Sequence, residues 1–143
     1  MGPILAFRFR LKGSDRITGG LVVSTSFRVR GLIRLEHDEL VFQWGGSVSV
    51  QEVGLGDVKD EVEVLPDESL VVPVQDLYRA MLVGGWLRPR LVLQARTPGA
   101  LSTVPSAEGG TAEFWYARRD RIAAIEMANS INDAIALACD QGY

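Results

Sequence analysis

Between Asp120 and Cys139 the chain carries neither glycine nor proline and is rich in alanine and isoleucine, and this stretch constrains the fold more than any other. Gly and Pro cost a helix interior about 1 and 3 kcal/mol, so a run free of both and apolar at helical spacing predicts an α-helix. At about 100° per residue, Ala124, Met127, Ala128, Ile131, Ile135 and Ala138 share one face, with Ile125 and Cys139 at its border. Glu126, Asn129, Ser130, Asp133 and Asp140 stand opposite. The small alanines let such a helix lie close against a sheet. Asp120 suits the N-cap, where a carboxylate accepts a bond from a first-turn N–H, and Gly142 is the matching stop.

Everything before this helix has the period or the punctuation of β-structure. In Ile4 to Lys12, Phe7, Phe9 and Leu11 alternate with Arg8, Arg10 and Lys12, the pattern of a half-buried strand. Leu21 to Leu35 is extended, with Gly31 as a bend or bulge. Glu36-His37-Asp38-Glu39 lies between two apolar runs and predicts a hairpin. Gly45-Gly46 and Pro66-Asp67-Glu68-Ser69 read as further turns, the latter between Glu61–Leu65 and Leu70–Val72. Gln75 to Leu82 fits either period, and Gly84-Gly85 ahead of Trp86–Arg96 favours a strand and a third hairpin. Thr111 to Tyr116 is the strand that leads into the helix.

With 143 residues, 47% of them hydrophobic and 23% charged, the chain is one domain's worth and can bury a core. A net charge of −3 argues against a general nucleic-acid binder. The charge is unevenly spread: residues 1–34 carry seven Arg and Lys against Asp15 alone, and residues 35–70 carry ten acidic groups against Lys59 alone. Such polarity is satisfied between neighbouring strands or orients head-to-tail association of copies. The single cysteine, Cys139, excludes an intrachain disulfide and fits the cytoplasm, with a small packing role on the helix border. No uninterrupted apolar window reaches the ~20 residues of a spanning helix, and Arg8 and Arg10 interrupt any secretory leader.

Several segments carry a family likeness. Val71-Val72-Pro73-Val74-Gln75-Asp76-Leu77, Gly84-Gly85-Trp86, Arg88-Pro89-Arg90-Leu91-Val92-Leu93 and Trp115-Tyr116-Ala117-Arg118-Arg119-Asp120-Arg121 resemble bacterial pleckstrin-homology-like domains. The likeness covers roughly residues 27–140 and sets residues 1–26 apart as an additional strand and loop, with 27–143 as the domain proper. It implies a mainly β fold with one carboxy-terminal helix: a partly open antiparallel barrel of two roughly orthogonal sheets, capped by the helix and used for binding lipids, peptides or other subunits. Phosphoinositide-binding members grip phosphates with basic residues on the first hairpin. Here that turn is Glu36-His37-Asp38-Glu39, whose carboxylates repel a phosphate.

Catalytic chemistry finds little to work with. The only histidine, His37, sits among three carboxylates on a tight turn, where consecutive side chains cannot converge on one metal ion. No second thiol accompanies Cys139, and the glycine pairs match neither the phosphate loop nor the dinucleotide fingerprint. The expected protein is therefore non-enzymatic, without cofactor or metal, acting by protein–protein contact or self-assembly. Phe7, Arg8, Phe9 and Arg10 form the candidate assembly strand, available to a sheet edge of the same or another chain. The alternative is a binder of a small anionic ligand or anionic membrane surface at the open end of the barrel, through Arg88, Arg90, Arg118, Arg119 and Arg121. Trp44, Trp86 and Trp115 lie near strand ends as core, rim or cleft residues.

Overall fold

The computed structural model describes residues 3–9, 14–18, 20–54 and 58–140. Eight strands and one helix follow in order: β1 (Ile4–Phe9), β2 (Ser14–Thr18), β3 (Leu21–Glu36), β4 (Glu39–Val53), β5 (Val58–Pro73), β6 (Leu77–Val83), β7 (Arg90–Ala95), β8 (Thr111–Trp115) and α1 (Arg121–Asp140). Short 3-10 turns at Val74–Asp76 and Arg118–Asp120 precede β6 and α1. All strand pairings are antiparallel, in the order β5-β4-β3-β1-β8-β7-β6, with β2 added to β3. β5 and β6 end that order, so the sheet is not closed.

The amino-terminal strand is the hinge of this order, not an addition to it. β1 pairs with β3 along its length and touches β8 at one register position, Arg8 against Trp115. That narrow seam lets the two halves of the sheet fold face to face around a shared aromatic core. Phe7 and Phe9 lie 4.9 Å and 5.6 Å from Phe114, which stacks on Phe42 at 5.3 Å. Leu5, Ile33, Leu40, Leu91 and Leu93 complete the layer, and α1 closes it with Ala124, Met127, Ala128, Ile131 and Ile135. The helical face expected from spacing is the buried one, with Ala138 partly buried beside it. In length and composition α1 would suffice to cross a membrane, but this face is committed to the sheet.

Other expectations divide. Glu36 pairs with Glu39 across a two-residue turn, and His37 adopts the left-handed φ of 54° that such a turn demands. Leu77–Val83 is the strand alternative of the ambiguous segment. Gly45-Gly46 and Pro66-Asp67, by contrast, turn nothing. β4 runs straight through the glycines and β5 straight through the proline. Trp44 faces Glu68 and Gly46 faces Leu65, so β5 holds one more residue than β4 here, a bulge that accommodates a residue with no N–H to give the ladder. Gly46 is needed for close approach, since a Cβ there would strike the carbonyl of Arg28.

Beyond this bulge the molecule changes character. Residues 21–28 of β3, 47–53 of β4 and 58–64 of β5, with β2 alongside, extend past the core as a four-stranded arm. No helix or second layer lies on it among the described elements; α1 contacts β1, β3, β6 and the two 3-10 turns, and its main support is β6.

Candidate functional site

Of the five candidate arginines, Arg118 and Arg121 share a small hollow, and Arg90 and Arg118 each lie over a tryptophan. The Arg118 guanidinium lies 4.9 Å over the ring of Trp86, and that of Arg90 lies 5.5 Å over Trp115. Arg90 also pairs with Glu113 at 3.2 Å and donates to the carbonyl of Arg88. Arg121 joins Trp86, Pro89, Tyr116 and Arg118 around a hollow of about 10 Å³, barely the space of one water. Burial of Tyr116 raises its phenol pKa above the usual 10.0, against the opposing pull of Arg121. Arg119 is exposed. At the loop tip Trp86 and Leu87 are exposed as well.

The candidate assembly strand is placed differently from its expected role. Phe7 and Phe9 are core residues, and β1 lies inside the strand order, paired with β3 along its length and meeting β8 at Arg8, so it is not the separate added strand expected. Arg8 pairs in register with Arg30 on the opposite face of that strand, and Arg10 lies outside the described residues. His37 and its neighbours are exposed on their turn, and no group of three metal-ligating side chains occurs among the described residues. Trp44 is buried in the core. Cys139 is exposed and not packed; it accepts a 3.0 Å bond from Arg96, and its place at the helix border explains its access to solvent.

Two features emerge that residue patterns alone do not reveal. Beside the bulge of β5, a cleft of about 470 Å³ opens between Arg30, Leu32, Gln43, Asp67 and Glu68. The Asp67 carboxylate occupies the place a side chain at Gly45 would need. The second feature is the arm. Register places Val22, Ser24, Ser26 and Arg28 of β3, Ser47, Ser49, Gln51 and Val53 of β4, and Val58, Asp60, Val62 and Val64 of β5 on the side away from the core. Ile17, Val22, Val53 and Val58 form one row across four strands, 77%, 39%, 41% and 61% exposed. Val62 and Val64 reach 66% and 80%.

The bulge decides which side of the arm the β5 valines take. In Glu61-Val62-Glu63-Val64 the valines would face the core if β5 kept its alternation back from Val72, which is buried. One extra residue at Pro66-Asp67 reverses the parity, sending the valines outward and Glu61 and Glu63 to the core side. The same carboxylates, with Asp60, put charge on a sixteen-residue edge strand, which discourages edge-to-edge pairing while leaving the face open. No family model, no curated protein and no solved structure matches this chain.

Proposed function

We propose that this protein is a non-enzymatic binding module of the pleckstrin-homology-like kind, acting through protein–protein contact made by its arm. An antiparallel sheet followed by one terminal helix lying across it supports the family reading. The contact reading is carried by one observation: six aliphatic side chains, Ile17, Val22, Val53, Val58, Val62 and Val64, stand on one face of a sheet with no second layer over them among the described residues. A β-sheet with an apolar face is stable when a second layer covers it. Another protein provides that layer with matching flat surface.

The anionic-ligand alternative draws less support, because Arg90 is paired with Glu113, Arg118 is stacked on Trp86, and the hollow beside Arg118 and Arg121 admits no phosphate. An exposed lone thiol suits a reducing compartment such as the cytoplasm. A photoreactive residue at Val62, activated in cells that make the full chain, tests the proposal. It should yield covalent adducts to protein. Adducts to lipid alone, or none, would overturn it.

A further inference from the structure

We infer that the loop joining β6 to β7 is a membrane-contacting tip, which sets Trp86 and Leu87 into the headgroup region of an anionic lipid bilayer while the arginines beside them meet lipid phosphates. This surface is separate from the arm, and the inference does not rest on the arm's role.

The loop holds two large apolar side chains out in water. Gly84 and Gly85 take left-handed φ values of 87° and 53°, and the Arg88 N–H donates to the Gly84 carbonyl at 3.1 Å. A Cβ at Gly84 would strike the Arg88 carbonyl, so the turn depends on glycine there. On this turn Trp86 is 65% and Leu87 77% exposed. Apolar side chains exposed singly are common, but an adjacent tryptophan and leucine on a fixed turn, rimmed by charge, form a contact surface.

The rim has one sign. Residues 84–90 and 116–122 meet where the Arg118 guanidinium lies 4.9 Å over the Trp86 ring, and these segments carry five arginines against Asp120 alone. Glu113 pairs with Arg90, which leaves three positive charges in excess on a chain whose net charge is −3. An anionic surface attracts this end of the molecule in spite of the chain's overall sign.

Shape selects a bilayer over a folded partner. The hollow beside Trp86, between Pro89, Tyr116, Arg118 and Arg121, is about 10 Å³ and receives neither a partner's side chain nor a single bound phosphate. A bilayer accepts a projecting apolar tip without a matching recess. The indole, apolar with one N–H, favours the depth of the headgroups, and leucine favours the hydrocarbon below them. Arg118, stacked on that indole, carries its charge to the level of the phosphates.

Flotation of the full chain with vesicles tests this. Phosphatidylcholine vesicles with about a third phosphatidylserine should carry the protein, and phosphatidylcholine alone should not. Tryptophan emission should move to shorter wavelength on binding, because Trp44 is already buried and Trp86 is the indole that changes surroundings. Trp86→Ala with Leu87→Ala should abolish that shift and weaken binding by roughly tenfold. Arg118→Gln with Arg119→Gln should weaken binding by more than tenfold, each arginine near an anionic surface being worth about fivefold, and should lessen its sensitivity to salt. All four side chains are exposed, so far-ultraviolet circular dichroism should not change, and the arginine pair serves should the first pair disturb folding. Leu137→Ala, exposed at the other end of α1, should bind as the unaltered chain does. No flotation with anionic vesicles overturns the inference, as does equal flotation with both lipids or binding undiminished in both variant pairs. A photoreactive residue at Leu87 that captures protein and no lipid in cells would assign the tip to a protein partner and overturn it as well. Vesicle binding is read independently of adducts at Val62, so failure of the tip and failure of the arm are distinguishable.

Discussion

Asn132 makes two hydrogen bonds that hold the helix to the sheet. Its side-chain oxygen accepts from the Ala80 N–H and its amide nitrogen donates to the Ala80 carbonyl, each at 2.9 Å. The side chain thus stands in for a neighbouring strand at the middle of β6, the end of the strand order, and occupies backbone groups that would otherwise be open to pairing. Periodicity alone ranks Asn132 as a flank residue, because nothing local records which edge the helix will lie beside. The apolar positions of α1 were legible for the opposite reason: burial repeats every turn. Asn132→Ala should destabilise the fold by roughly 1–3 kcal/mol, since two backbone groups lose partners. Urea unfolding checks this; a midpoint shift worth only a few tenths of a kcal/mol would contradict the role.

At the scale of elements, alternation identified β1 as a strand and the helix as a lid, yet placed β1 wrongly as an appendage. The pattern Phe7-Arg8-Phe9 says that one side is buried, not where, because β1 finds its partners about twenty-five and a hundred residues away. Deleting residues 1–9 should therefore abolish cooperative folding: Leu5, Phe7 and Phe9 would leave the core, where each large apolar side chain is worth about 3–5 kcal/mol. A truncated chain that retains a sharp thermal transition would refute this placement. β5 misled in the other direction. Pro66-Asp67-Glu68-Ser69 has turn composition, and proline excludes a regular ladder, but a bulge meets the same constraint without reversing the chain. Which of the two occurs depends on β4 running alongside, a tertiary fact.

For the whole molecule, the division that matters is between a covered body and an uncovered arm. Strand content and the terminal helix could be read from the residues; the facing of Val62 and Val64 could not, because one inserted residue in β5 reverses it. The charge polarity of the chain also finds a place. β3 with its arginines lies inside the sheet, and acidic β5 forms the edge, so the sheet carries its negative groups where another edge would approach. The most direct test of the arm as a contact surface places a photoreactive residue at Val62 and, in a separate chain, at Tyr78 on β6, which is exposed as well. Protein adducts should form from Val62 and not from Tyr78. No adduct from Val62, or the same adducts from both positions, would contradict the account.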